Sequence, residues 1–409
     1  MLENYTILCD SNIPWHLNRY SKHHIMSRLA RRNRVLFVNP RIDIGEYFGG
    51  SPRKFIDLFR RKQHPTGEAL VAYTPLAPPF RSRLDLACAI DPILFSWQLK
   101  RLVHATNPDR LILFLGNPWN GFLLDSFEGY ACALYHCSDN FPAFFTGGFA
   151  ERIKAREEIL IRRSDVVVST SDQLYAKCRP LNSNSHLIPH GVDECFFRAS
   201  SRKEEPLDDL ETGGVPLIGY IGSIDRLLDF ELLEYTLSSL KDCCFIFIGP
   251  VADDVKDKFA TISAHGNCRY LGRKKWHELP AYLSRFNACI IPWMQSEFVQ
   301  GGCPLKLVEY LAAGKPTVAT RIAFDEKLSP GVTVTGDAAS FVHAIVTAVE
   351  TDKDRTLGPR LQRLVRDWGW DAKVEEYCGC IEDVIRQKML SKKEGRRDPA
   401  ELPGGNPLS

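Results

Sequence analysis

Short apolar runs alternate along this chain with segments whose apolar residues recur at helical spacing. In the first half the runs are YTILC, RVLFVNP, LILFLG, CALYHC, DVVVST and SHLIP. Between them lie KHHIMSRLARR, DPILFSWQLKRLVHAT and ERIKAREEILIRR. Each run has the length of a buried strand, and each intervening segment is long enough for a helix. Strand and helix in alternation predict a parallel sheet wrapped by helices. The pattern breaks after Phe197. Residues 198–214, RASSRKEEPLDDLETGG, are polar and without period, which predicts a linker or an exposed loop. The alternation resumes with VPLIGYIG, CCFIFIGP, CRYLG, ACIIPW and PTVATRI, separated by helical stretches such as FELLEYTLSSL and PLKLVEYLAAG.

The predicted fold class is α/β: two doubly wound, Rossmann-like domains, residues 1–197 and 215–370, facing each other across a cleft. Residues 371–390 read as one amphipathic helix, free to pack back on the N-terminal domain. Residues 391–409, SKKEGRRDPAELPGGNPLS, are charged and rich in Pro and Gly, and predict a disordered tail. Ligands of such sheets bind beyond the carboxyl ends of the strands, so the residues that follow each run are the candidates for a site.

With 409 residues, 44% of them hydrophobic and 25% charged, the chain can fill two cores. The net charge of +2 argues against a nucleic-acid-binding protein, which usually carries a basic excess. Many of the 13 cysteines, Cys9 and Cys289 among them, lie inside apolar runs, as buried thiols of a reducing compartment do. No pair has zinc-ribbon C-x2-C spacing. The N-terminus MLENYTILCD lacks the build of a secretory leader, and no stretch approaches the roughly 20 apolar residues of a membrane span. A cytoplasmic protein is expected, one able to sit peripherally on the inner face of the plasma membrane. The basic and apolar segment SPRKFIDLFRRKQH (51–64) would serve as a short amphipathic helix on an anionic bilayer, or equally as an ordinary surface helix.

Three segments of the second half suit a nucleotide diphosphate. In GYIGSIDR (219–226) a run ends at Gly222, where backbone can approach a phosphate closely, and Arg226 can add a charge-assisted bond; a simple strand-to-helix turn explains the segment as well. In CPLKLVEYLAAGKP (303–316), Pro304 suits a helix start and Gly314 its end. Lys306 then lies in the first turn, where a cation can neutralise a diphosphate. Glu309, three residues on, can accept hydrogen bonds from ribose hydroxyls. Gly272 and Arg273, opening GRKKW, would hold the base and add positive potential, or form a solvated basic turn. An expected lack of the D-x-D metal motif, with fixed cations in its place, makes metal-free stabilisation of a leaving diphosphate the expectation, with no cofactor beyond the nucleotide substrate. His23 and His24 are adjacent and so point to different faces of a helix; a solvated face is expected for them.

The motifs PLKLVEYLAAGKPTVAT, IPHGVDECFF (188–197) and GYIGSID, in this order and spacing, resemble the C-terminal signature of GT-B glycosyltransferases, over residues 105–385 or so. Many retaining members carry two glutamates eight residues apart; Glu309 fits the second, but Gly301 occupies the first place. The chain is in this respect more similar to bacterial exopolysaccharide glucuronosyltransferases. That resemblance implies that Asp139, past the run LYHC, is the base that takes the acceptor's proton, with inversion at the anomeric carbon. A turn-forming Asp139 remains open. His136 is a rival base, or a buried side chain of the strand. The family pattern implies cleft positions for Gly191 and His190, though a turn accounts for Gly191 as well. The implied activity moves a sugar from a nucleotide-sugar donor, UDP-linked, to a lipid-linked or polysaccharide acceptor in cell-surface polysaccharide synthesis. A sugar-nucleotide epimerase of the same fold, or a non-catalytic nucleotide-sugar-binding subunit, are the alternatives.

Overall fold

The computed structural model describes residues 2–15, 19–43, 63–65, 69–80, 85–104, 110–199, 207, 209–210 and 214–394. The strands of the first half are β1 (Thr6–Asp10), β2 (Arg34–Val38), β3 (Ile42–Asp43), β4 (Gln63–Pro65), β5 (Leu70–Tyr73), β6 (Leu76–Ala77), β7 (Leu111–Leu115), β8 (Cys132–Cys137), β9 (Val166–Ser169) and β10 (Ser185–Leu187). Those of the second half are β11 (Leu217–Ile221), β12 (Cys244–Ile248), β13 (Cys268–Tyr270), β14 (Ala288–Ile291), β15 (Thr317–Ala319) and β16 (Val332–Val334). Five helices matter most below: α1 (Ser21–Leu29), α2 (Asp85–His104), α3 (Gly147–Arg163), α4 (Leu305–Ala312) and α5 (Trp370–Glu394).

The first sheet has the order β10-β9-β8-β7-β1-β2-β5-β4, parallel except where β4 meets β5. β1 is central, with Asp10 level with Val38 of β2 and with Leu115 of β7. The second sheet, β13-β12-β11-β14-β15-β16, is parallel throughout, and its succession reverses between β11 and β14. β3 and β6 form a separate parallel pair. The strands read as unbroken apolar runs because both faces of each sheet are covered. In β1, Ile7 and Cys9 pack with α1 and α5, while Leu8 packs on the opposite face with α2 and α3. In the second sheet, one face takes Leu307, Val308 and Leu311 of α4, and the other takes the helices Phe230–Ser239 and Ala338–Thr351.

α5 starts beside the second lobe and ends on the first. Its Trp370, Val374, Tyr377, Ile381 and Val384 join the core of the first sheet. It runs to Glu394, so the first four residues of the expected tail are helical; Ser391, Lys392, Lys393 and Glu394 contain no breaker before Gly395. Residues 395–409 lie outside the described residues.

Three other expectations need amendment. In the polar stretch 198–214, Leu210 is buried in the second core, and Asp209 accepts a hydrogen bond from the Tyr282 hydroxyl at 3.0 Å, so this part is tied down. The segment 51–64 lies outside the described residues up to position 62; Gln63 and His64 belong to β4, which pairs antiparallel with β5. His23 and His24 are buried, not solvated. α1 is covered by α5 on one side and the sheet on the other, and His24 stacks on the Trp370 ring with centroids 5.0 Å apart. His23 accepts from the Tyr20 N–H at Nδ1 and contacts the Pro14 carbonyl through Nε2, both at 3.1 Å.

Candidate active site

Residues just past the carboxyl ends of β1, β8, β11, β12 and β14 line one cavity of about 810 Å³. That volume lies within the usual range for small-molecule sites. The lobes touch along one edge of it. Ser171 Oγ donates to the Gly301 carbonyl at 2.6 Å, and Asn140 Nδ2 to the Glu297 carbonyl at 3.3 Å. The Phe144 and Phe298 rings meet at 5.1 Å.

On the second lobe, Pro304 precedes the first turn of α4 and Lys306 projects into the cavity. Its Nζ donates to the Tyr220 hydroxyl at 2.8 Å and lies 4.1 Å and 4.9 Å from the Tyr220 and Trp293 ring centroids. The Tyr220 hydroxyl in turn donates to the Ser223 carbonyl at 2.7 Å. Burial pulls the lysine down to about 8, against the pull of the Asp225 and Glu309 carboxylates. Glu309 is pushed up to about 8 by the same burial, opposed by Lys306. Near neutral pH this wall therefore presents an ammonium and a largely protonated carboxyl. Gly222 has φ of 150°, and a Cβ there would stand 2.5 Å from Lys306 Nζ. A side chain there would displace the lysine tip, and the positive φ itself favours glycine.

Arg273, Lys274, Lys275 and Trp276 border the same space. Lys274 is taken by Asp209. The Trp276 ring lies 4.9 Å from the Arg19 guanidinium of the first lobe, and its buried Nε1 has no protein partner. A buried donor without a partner is a natural place for ligand to supply one.

The first lobe contributes Asp139, two residues past β8. Ser138 Oγ donates to its Oδ2 at 2.8 Å, and the Phe141 N–H to its carbonyl at 2.9 Å. Across the cavity, a Cβ built on Gly302 would lie 3.9 Å from Asp139 Oδ1, so this carboxylate stands against the loop that leads into α4. His190 also borders the cavity, with a buried, unpartnered Nδ1; burial pulls it down to about 4, against the nearby Asp139. Lys22 of α1 is buried beside them, its Nζ donating to Asn12 Oδ1 at 2.7 Å and to the Gly116 carbonyl at 3.2 Å.

Residues 215–351 match the family model described as Glycosyl transferases group 1. A Bacillus subtilis (strain 168) protein, TuaH, provisionally named a teichuronic acid biosynthesis glycosyltransferase, is 28% identical over 295 residues, which make up 67% of this chain and 73% of that one. Among solved structures, sucrose-phosphate synthase from Thermosynechococcus elongatus is similar with a TM-score of 0.70 at 16% identity, over 95% of this chain and 100% of that one. HepE from Anabaena, in complex with UDP, is similar with a TM-score of 0.64 at 11% identity, over 93% of this chain and 100% of that one. The chain is a glycosyltransferase of the GT-B fold.

In this GT-B glycosyltransferase, Gly222, Arg273, Lys306, Glu309, Asp139 and His190 come together around the cavity, and four other candidates do not. Arg226 does not line it but packs on Phe144, which does. Its guanidinium lies 3.7 Å from the Phe144 ring and donates to the Phe144 carbonyl at 3.0 Å, while its neighbour Asp225 lines the cavity. Gly272 is a turn residue with φ of 66°, its carbonyl accepting from the Gly249 N–H at 2.9 Å. Gly191 serves packing: a Cβ there would come within 2.7 Å of the Trp370 ring. His136 is buried in β8 between Phe114 at 5.4 Å and Tyr377 at 5.8 Å, both nitrogens without partners, since the strand's alternation turns it toward α5.

Lys22, Tyr220 and Trp293 were missed as site residues. Only Lys22 carried a local signal, a lysine early in an otherwise buried helix next to the first strand. The expected lack of a D-x-D triplet is wrong: the chain carries one, Asp352-Lys353-Asp354, so the metal-free expectation draws no support from that side. It stands away from the cavity, where Asp352 accepts from Asn287 Nδ2 at 3.0 Å and Asp354 from the Thr356 N–H at 2.8 Å.

Proposed function

We propose that this enzyme transfers a sugar from a UDP-linked donor to a lipid-linked or polysaccharide acceptor, with inversion and without a metal, at the cytoplasmic side of a membrane. The observation that supports this reading is that Lys306 of the second lobe and Asp139 of the first line the same cavity. The diphosphate would lie at the start of α4, where Lys306 and the free N–H groups of the first turn meet its charge. Glu309 would bond the ribose hydroxyls, and the unpartnered Trp276 Nε1 the base. The HepE structure, a complex with UDP, lends support to UDP as the nucleotide; TuaH, by its name, lends support to a product of the teichuronic acid kind.

In the reaction, Asp139 takes the proton of the acceptor hydroxyl as its oxygen bonds to the anomeric carbon. The bond from that carbon to the diphosphate oxygen breaks on the opposite side. The electron pair stays with the diphosphate, where Lys306 holds the added charge. Gly301 supports direct displacement over a double one. A Cβ at this position would lie 2.5 Å from Asn140 Cβ, so the second carboxylate common in retaining relatives has no room here.

Asp139→Asn tests the reading. Transfer to acceptor should fall by at least about a hundredfold, the scale of general-base catalysis, while UDP binding by calorimetry stays at the wild-type value. Transfer at the wild-type rate would remove Asp139 from the chemistry. No transfer by the wild-type protein under any donor would favour the binding-subunit alternative. In the same assay, EDTA should leave the wild-type rate unchanged, and a full loss would overturn the metal-free step.

A further inference from the structure

Helix α2 is apolar on two opposite faces. One face, with Ala87, Phe95, Leu99 and Val103, is buried on the first lobe. On the other, Leu86, Ile90, Ile93 and Trp97 recur at every third or fourth residue in a single stripe. They are 73%, 42%, 70% and 55% exposed. A surface helix normally turns charge, not isoleucine, to water. Contiguous apolar surface of this kind marks an interaction site.

A second patch lies on the same layer. At the start of α3, the exposed Phe149 ring meets Trp119 at 5.0 Å and Phe145 at 4.9 Å. Phe145 meets Phe144 at 5.6 Å, and Phe144 borders the cavity. α2 and α3 cover the same face of the first sheet, with residues 118–126 between them; Phe122 touches Phe95 of α2 at 6.2 Å. The two patches thus look out from one side of the first lobe, and the second leads to the mouth of the cleft.

The charges around these patches fit one occupant. The Arg101 guanidinium lies 5.5 Å from Trp97, Arg156 4.9 Å from Trp119, and Arg152 5.8 Å from Phe149. In α2 and the first ten residues of α3, the exposed Lys100, Arg101, Arg152, Lys154 and Arg156 outnumber the exposed Asp85 and Glu151. Aromatic rings topped by cations, beside a stripe of isoleucine and leucine, suit the boundary between acyl chains and acidic headgroups.

We propose that this side of the first lobe, through the outer stripe of α2 and the aromatic start of α3, docks on an anionic lipid surface. The inference rests on the lipid-linked-acceptor reading above and deepens it: a membrane on this side brings a lipid-borne hydroxyl to the Asp139 edge of the cleft.

The test is flotation of the full-length protein with phosphatidylcholine vesicles, with and without about one third phosphatidylglycerol. Wild-type protein should float with the anionic vesicles, less at high salt and less with neutral lipid. The double variant Ile93→Ser/Trp97→Ser should lose at least about tenfold in partitioning, a step of about 1.4 kcal/mol, which is less than full burial of one large apolar side chain provides. Its UDP affinity should match that of wild type. Equal flotation of the variant, or none of the wild type, would overturn the proposal. So would a concentration-dependent dimer that the double substitution dissolves, since the stripe would then be covered by a second copy. If UDP binding fails in the wild type, the donor-site reading fails by itself, and the vesicle result still decides this one.

Discussion

Lys306→Met removes the ammonium from the donor wall and little else. The thioether chain still fills the space beside the Tyr220 and Trp293 rings, and the Tyr220 hydroxyl keeps its bond to the Ser223 carbonyl. Methionine relieves the cost of burying an ammonium but leaves Asp225 without its neighbouring cation; these two effects oppose each other, and denaturant melts of the variant separate a folding defect from a binding one. UDP affinity should fall. A hydrogen bond to a charged group is worth about 1.5–3 kcal/mol, which converts to a loss of roughly 10- to 150-fold. The pH dependence supplies a sharper criterion. Lys306 is pulled down to about 8 and Glu309 pushed up to about 8. Below that value the wall offers an ammonium and a neutral carboxyl to the diphosphate; above it, a neutral amine and a carboxylate. Wild-type affinity should therefore fall as pH rises through 8, by up to about tenfold per pH unit for each proton involved. The methionine variant retains only the Glu309 contribution, so its decline should be shallower and the two curves should converge at high pH. Calorimetric titration of UDP from about pH 7 upward, above the second phosphate ionisation, measures both. Equal affinities at pH 7, or curves of the same slope, would refute the placement of the diphosphate at Lys306.

Two further outcomes follow from particular side chains. Gly222→Ala places a methyl group against Lys306 Nζ at a φ of 150°, so UDP affinity should drop to the level of Lys306→Met, with a stability loss of about 1–3 kcal/mol by denaturant melts; unaltered UDP affinity would show that the lysine has room to spare. His136→Phe should stabilise the fold, since a phenyl ring fits between Phe114 and Tyr377 without two unpartnered nitrogens. Burial holds His136 well below its ordinary 6.5. Between that value and its depressed one the unfolded chain binds a proton that the folded chain does not, so the native histidine loses stability as pH falls. The advantage of the variant should widen by about 2 kcal/mol between neutral pH and about pH 5; a constant difference across that range would contradict a neutral, buried His136.

What the sequence made legible follows the range of the interactions involved. β1, β7, β8, β11, β12 and β14 were readable because each is a short apolar run covered on both faces, and the strand needs nothing outside itself to announce that. Lys306 and Glu309 were readable for a similar reason: a proline, a lysine and a glutamate at the start of a helix define their own geometry. Arg226 was misread because its direction is fixed by a turn and by Phe144, which lies 82 residues away on the other lobe. For His136 and Gly191 the sequence leaves two readings open, because the neighbours that decide between them, Tyr377 and Trp370, arrive with α5 from the far end of the chain. Lys22 shows the limit most clearly. Its stem passes over Gly116, where an added Cβ would come within 2.3 Å of the lysine Cε, so a glycine past the end of β7 admits a side chain from α1. Neither residue signals the other in the sequence.

The same reasoning makes Gly301 more informative than its resemblance to a missing glutamate. Its closeness to Asn140, together with the Ser171 hydroxyl bonded to its carbonyl, places it at a seam where the two lobes meet. A larger side chain at 301 would hold that seam apart. The edge of the cavity bearing Asp139 would then withdraw from the loop that leads into α4, because Asp139 is the immediate neighbour of Asn140 and stands against Gly302. Closeness of the lobes and absence of a second carboxylate are one structural choice here, and a glycine is the residue that permits both.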